Sequence, residues 1–327
     1  MSQITYFNEP ELRDPVVVVA FGGWNDAADS ATTAIKFLID RWDPQKIAEI
    51  DGEEFFVFTE ARPTIKYKNG VQQSNIVWPN NEFFAYSDPD ATRDVIILLG
   101  SEPQLKWKTF CAQFIEICQK FHVSEVVFLG ALLADIPHSL TVPITGTSSN
   151  DEVMERLREM DVNKSRYEGP TGMIGVLHDA CHVNGISSAT LWAATPHYLA
   201  AAPNIKVTAA LLTNLNQFLS FGLDLYEIQE DAVRFEEQVT ALVSRDPEAR
   251  DYVRRLEEQI ANGIDPDDDD DDDDEDEEEI FSLSPDRAPG SGPLPSADSL
   301  IRDVEALLRE SRIQGPSNQS DDEEENE

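Results

Sequence analysis

The sequence is short of cysteine, short of positive charge and without any long apolar run. Its three cysteines, Cys111, Cys118 and Cys181, are an odd and sparse set in 327 residues, unlike a secreted disulfide framework. Cys111 and Cys118 stand two helical turns apart and read as small core hydrophobes. Lys and Arg total 25 against 63 Asp and Glu, a formal net charge of −38. Sequence-independent binding to nucleic acid or to an anionic membrane relies on cations that neutralise phosphates, so the balance argues against both and for a basic partner surface. No apolar run approaches the length that spans a bilayer, and Met1-Ser2-Gln3-Ile4-Thr5 lacks a basic region followed by an apolar stretch. The expectation is a cytoplasmic protein. The dinucleotide fingerprint, a phosphate loop ending in Lys-Ser or Lys-Thr, and a Gly-x-Ser-x-Gly elbow are missing too.

What is present starts with Val16 to Ile39. Four consecutive valines, the turn Phe21-Gly22-Gly23-Trp24-Asn25-Asp26 and an Ala/Ser/Thr-rich stretch read as buried strand, tight turn and helix. The helix amides there point beyond the strand's carboxyl end, where an anion or a partner's carboxylate could sit. Further strands are expected at Phe55–Phe58, Ile76–Trp78, Val95–Leu99, Val126–Leu129 and Ala189–Ala193. Helices are expected at Leu105–Phe121, Asp151–Met160, Gly172–Val183 and Ile205–Phe221, with Ser149 to Glu152 as a capping box and Asn184-Gly185 as a helix end. Strands alternating with helices imply a sheet covered on both faces and at least partly parallel.

After Phe221 the pattern changes. Ala232, Phe235, Val239 and Leu242 recur at helical spacing, and Asp246-Pro247 caps a second helix carrying Tyr252, Leu256 and Ile260. From Asp265 to Glu279 nearly every residue is acidic, a composition that cannot offset its ordering entropy and reads as a disordered, solvated spacer. Leu300, Ile301, Val304, Leu307 and Leu308 then mark one face of a short amphipathic helix, which must dock somewhere to be stable. The expected organisation is a core domain over 1–221, a helical hairpin over 222–262, a disordered acidic and Pro/Gly/Ser linker over 263–295, the short helix over 296–312 and a disordered acidic terminus over 313–327.

In a parallel sheet the strand ends would crowd one carboxyl edge, bringing together Gly22, Gly23, Trp24, Asn25 and Asp26 with Glu102, Asp135, His138 and His197. Each has a structural reading beside a functional one. The glycines serve turns, Trp24 anchors a core or interface, Asp26 caps a helix, and Arg62 either grips an anion or pairs with an acid. Glu102, Asp135 and His138 form an acid/base set only if they converge. His178 and His182 share a helix face at metalloprotease spacing, but Asp179 replaces the longer Glu and no third ligand is evident, so no metal is assigned. No catalytic set and no cofactor is assigned either.

The ordered motifs Phe21 to Ala28, Arg62-Pro63, Trp78-Pro79, Gly100-Ser101-Glu102-Pro103 with Trp107, Asp135-Ile136-Pro137-His138, Tyr167 to Gly172, and Trp192 with Pro196-His197-Tyr198 resemble the proteasome assembly chaperone 2 family in its bacterial, actinobacterial-type branch. The resemblance runs from Val16 to about Phe221, with the later hairpin also family-like. It implies an α/β phosphorylase/hydrolase-like sandwich with a mixed, largely parallel sheet, and a tendency to homo-oligomerise, with a trimer as the expected form. It also implies kinship with eukaryotic proteins that escort proteasome α-subunits without catalysing a reaction. The leading expectation is therefore a non-catalytic assembly factor with protein partners of a proteasome-related kind. The alternative is a small-molecule binder or a hydrolase/phosphorylase-type enzyme with Asp26, Glu102, Asp135, His138 and His197 lining a pocket.

Overall fold

The four valines lie in a strand whose residues Val16 to Phe21 have no exposed surface, and alternate residues feed opposite faces. Val16, Val18 and Ala20 join one core, while Val17, Val19 and Phe21 join the other. A strand buried on both sides needs a continuous apolar run, which is what Val16 to Phe21 supplies. In the computed structural model, residues 3–67, 74–165, 167–200 and 203–262 are described. The acidic linker, the 296–312 helix and the terminus expected from sequence lie outside them.

The strands are β1 (Ile4–Tyr6), β2 (Val16–Gly22), β3 (Gln45–Ile50), β4 (Thr64–Tyr67), β5 (Ser74–Val77), β6 (Asn81–Tyr86), β7 (Val95–Ser101), β8 (Glu125–Ala134), β9 (Ile144–Ser148), β10 (Asn163–Lys164) and β11 (Ser187–Pro196). The helices are α1 (Ser30–Trp42), α2 (Trp107–Lys120), α3 (Asp151–Glu159), α4 (Met173–Val183), α5 (Ile205–Leu219), α6 (Tyr226–Val243) and α7 (Pro247–Ala261). Nine strands form one mixed sheet in the order β1-β3-β6-β7-β2-β8-β11-β9-β10, and β4 pairs with β5 in a separate hairpin. The four central strands, β7, β2, β8 and β11, are mutually parallel. Their carboxyl ends therefore share one edge, while β6, β3 and β1 extend the sheet antiparallel on one side. This is the mixed α/β sandwich that the resemblance implies.

Helices α1 and α5 cover one face through Ala31, Ala34, Ile35, Leu38, Leu211, Leu212 and Leu215. Helices α2 and α4 cover the other through Phe110, Phe114, Ile117, Met173, Ile174 and Leu177. The first turns of α6 join the first core through Ile228 and Ala232, and its later turns pack with α7 around Tyr198 and Leu199. The three thiols are buried, and burial raises their pKa values, with Cys111 pushed up to about 11 and Cys181 to about 12. That keeps them neutral core groups.

Two local expectations need correction. Phe55–Phe58 is not a strand: Phe55 and Phe56 donate their amides back to Gly52 O in a turn that drives both rings into the core. The cap of α3 is Asn150, one residue later than the capping box places it, with Oδ1 accepting from the Glu152 and Val153 amides. Asn184-Gly185 ends α4 as expected, with Gly185 at positive φ. Among the described residues no helix is long and apolar enough to cross a membrane.

Candidate functional site at the carboxyl edge

The turn after β2 is shaped by Gly23, whose φ of 127° strains any side chain. The chain then reverses so that Asp26 reaches the N-terminus of α1. Asp26 Oδ1 accepts from the Ala31 amide at 2.6 Å, and Oδ2 accepts from Thr32 Oγ1 at 2.5 Å. Asp26 is 5% exposed, and burial raises its carboxyl to about 6 against the opposing pull of these hydrogen bonds. The anion position of this helix end is thus filled by the chain's own carboxylate.

The same happens at the start of α4. Glu102, just past β7, accepts the Met173 amide at 2.7 Å on the first turn of α4 and the Asn25 Nδ2–H at 2.6 Å. Its own amide donates to Gly22 O at 2.9 Å. Gly172 is required there, because a Cβ would lie 2.4 Å from Asn25 Oδ1 and 2.8 Å from Glu102 Oε1. Asn25, Asp26 and Glu102 therefore bind the turn after β2 to α1, β7 and α4.

The two Pro-His pairs converge elsewhere on the edge, beneath the helical hairpin. His138 and His197 flank Tyr198, with ring centroids 6.0 and 5.7 Å away and planes near perpendicular; Tyr252 of α7 closes the group at 6.0 Å from Tyr198. Tyr198 Oη accepts the His138 amide at 2.7 Å and lies 2.8 Å from Nδ1. Its own proton is free to go to Nδ1, which assigns the ring proton to Nε2, 3.1 Å from Thr240 Oγ1 on α6. Burial first, and the Lys206 ammonium second, lower the His138 pKa to about 4, so the ring is neutral. His197 Nδ1 lies 3.0 Å from Asp135 Oδ1, and its Nε2 lies 3.3 Å from Tyr252 Oη. Burial raises both phenols, leaving Tyr198 and Tyr252 protonated.

The expected acid/base set thus has its members on different tasks. Asp135 and His138 serve the hairpin contact, and Glu102 serves α4. Arg62 lies exposed on the loop before β4. The small cleft bordered by His138, Asn204, Lys206, Phe235 and Glu236 is water-sized. On α4, His178 Nδ1 meets Ser188 Oγ at 2.9 Å. Among the described residues no group of three or more His, Cys, Asp or Glu is placed to hold a metal ion. Thr240, Tyr252 and Lys206 complete the edge without a sequence signal beyond helical spacing; Lys206 Nζ holds the His138 and Leu140 carbonyls at 2.6 and 2.7 Å.

Residues 20–243, from β2 through α6, match the PAC2 family profile. The chain belongs to the PAC2 family. A PAC2 family protein from Streptomyces avermitilis is 38% identical, with 73% of this chain aligned to 100% of that one and a TM-score of 0.67. A Mycobacterium tuberculosis proteasome-assembly chaperone homologue is also 38% identical, over 73% of this chain and 99% of that one, with a TM-score of 0.66. An archaeal proteasome activator from Pyrococcus furiosus, 18% identical over 73% of this chain and 97% of that one, shares the fold with a TM-score of 0.60. Among curated proteins none matches. In PAC2 terms, the matched region holds Asn25, Asp26, Glu102, Asp135, His138, His197 and Thr240, and stops before Tyr252.

Proposed function

We propose that this PAC2 chain is a non-catalytic assembly factor that binds a proteasome-related protein with the carboxyl edge of its sheet. One observation carries the reading: Asn25, Asp26, Glu102, Asp135, His138 and His197 of that edge are engaged in internal contacts, while large apolar side chains such as Trp24 and Leu133 stand exposed. Trp24 keeps 48% of its surface exposed on the turn after β2, and Leu133 keeps 46% at the end of β8. Apolar anchors on rigid, internally hydrogen-bonded loops suit a protein contact. Asn25, Asp26, Glu102, Asp135, His138 and His197 act as the frame behind that contact, with Gly22 and Gly23 permitting the turn. The partner class follows from the M. tuberculosis relative, which is named for proteasome assembly.

The protein works in the cytoplasm as a homo-oligomer, a trimer on the family resemblance. The acidic linker serves as a spacer, and the 296–312 segment, with Leu300, Ile301, Val304, Leu307 and Leu308, as a tethered recognition element. Binding of purified proteasome α-subunits from the same organism to the full chain tests the reading. A Trp24→Ala/Leu133→Ala variant is expected to bind about thirtyfold more weakly with unchanged thermal stability. Equal binding by the variant removes the edge from the interface, and no binding by the parent overturns the partner class.

A further inference from the structure

Two exposed surfaces of the described fold combine large apolar side chains with charge, and the charges are of opposite sign. The first is the hairpin of β4 and β5. Ile65 and Ile76 face each other across it and expose 61% and 59% of their surface, and Val77 and Trp78 expose 41% and 53%. Ile76 and Val77 are successive strand residues, so both faces of the hairpin present apolar groups. A two-stranded hairpin is marginal in water unless such a face is packed against something. The stretch over 61–81 holds three bases, Arg62, Lys66 and Lys68, and no acid, in a chain with 63 acids against 25 bases.

The second surface is the outer side of α6. Tyr226, Glu230, Val233 and Glu237 recur at helical spacing on one stripe, opposite the buried Ile228, Phe235 and Val239. Tyr226 and Val233 expose 70% and 57% of their surface, and both glutamates beside them are exposed. Arg234 and Lys206 pair with Asp231 and Glu236 of the same helix. Among the described residues that leaves Glu230 and Glu237 without a cation.

The two surfaces cannot meet within one chain. At the root of the hairpin Phe58 and Ala61 pack on the core beneath α2 and α4, and Trp78 lies 4.9 Å from Phe58. Ile228 and Ala232 of α6 belong to the core beneath α1 and α5, on the other face of the nine-stranded sheet. A two-fold contact of either surface with its own counterpart would set bases against bases or acids against acids, which is repulsive. The hairpin of one copy on α6 of another sets apolar groups together and bases beside acids.

We infer that the β4–β5 hairpin of one copy docks on the outer side of α6 of a second copy, with Ile65 and Ile76 covering Tyr226 and Val233, and exposed Arg62 beside Glu230 and Glu237. The contact is head-to-tail: each copy gives one surface and receives the other. It rests on the homo-oligomer read above and names the surfaces that build it.

Light scattering coupled to gel filtration, on the full chain over a range of concentrations, tests it. Ile65→Ser/Ile76→Ser and Tyr226→Ser/Val233→Ser are each expected to weaken self-association at least about tenfold with an unchanged melting temperature. Glu230→Arg/Glu237→Arg, which alters exposed side chains alone, is expected to act in the same direction. Chains carrying Ile76→Cys and chains carrying Val233→Cys, mixed and treated with a short bis-maleimide, are expected to give the mixed dimer in preference to either like dimer. A parent that stays monomeric overturns the homo-oligomer reading and the contact with it. An oligomeric parent whose assembly survives either serine pair intact overturns the contact alone, and so does crosslinking confined to like dimers.

Discussion

Replacing His138 with Gln changes how stability depends on pH, by an amount the structure sets. The imidazole is 5% exposed and held neutral among Tyr198, Thr240, Lys206, Glu236 and Glu257. Its folded pKa of about 4 lies below the unfolded value of about 6.5, so between those limits the unfolded chain binds more protons. The contribution is fully present above about pH 6.5 and is lost as pH falls towards 4. Integrating the two titrations gives a loss, relative to neutrality, of about 2 kcal/mol at about pH 5 and about 3 kcal/mol at about pH 4. His138→Gln keeps a polar group near Thr240 and removes the titration. At neutral pH the variant is expected to be less stable by about 1 kcal/mol, the scale of one lost hydrogen bond to Tyr198. Urea unfolding of both proteins across this range measures the difference, and subtraction cancels the other carboxylates of this acidic chain. The parent's advantage should shrink, and then reverse, on acidification. A difference that stays constant from neutral to acid pH would refute a buried neutral imidazole at this position.

Asp26 should behave with the opposite sign. Its folded pKa of about 6 is above the unfolded value, so its contribution is present below about pH 4 and falls by about 3 kcal/mol as pH rises through 6; the stability of the parent relative to Asp26→Asn should therefore decline with rising pH, and a flat difference would exclude the raised carboxyl. Gly172→Ala forces a methyl against Asn25 and Glu102 and is expected to lower stability by about 1–3 kcal/mol, read by thermal melting. An unchanged melting temperature would mean that the turn after β2 and α4 are not locked together.

Much of the centre of the fold was legible because its signals are local. A β-branched run buried on both faces, glycines and a carboxylate cap announce β2 and α1 within 25 residues, and the apolar runs of β7, β8 and β11 do the same. Strands β3 and β6 escaped because they pair antiparallel near the margin, where Gln45-Lys46 and Glu49 interrupt the apolar pattern. Phe55–Phe58 misled for the converse reason: aromatic residues are strand formers, yet here two rings enter the core from a turn anchored on Gly52. At the edge, the positions of Asp135, His138 and His197 followed from strand ends. That both histidines close on Tyr198 did not, because Thr240 and Tyr252 come from helices more than 40 residues beyond Tyr198 and carry only the spacing of an amphipathic face. Asp26 and Glu102 were visible as acids after strands, but that each occupies a helix end depends on where α1 and α4 begin in space.

The margins of the main sheet bear on how copies of this protein can meet. Its terminal strands, β1 and β10, are three and two residues long. Such short ends offer too few unpaired backbone groups to nucleate a continuous sheet across two molecules. Self-association that prolongs the nine-stranded sheet is thereby disfavoured, which protects a protein with so β-branched a centre from open-ended growth. The homo-oligomer proposed above therefore calls for side-chain surfaces, whose geometry can close into a ring of fixed number.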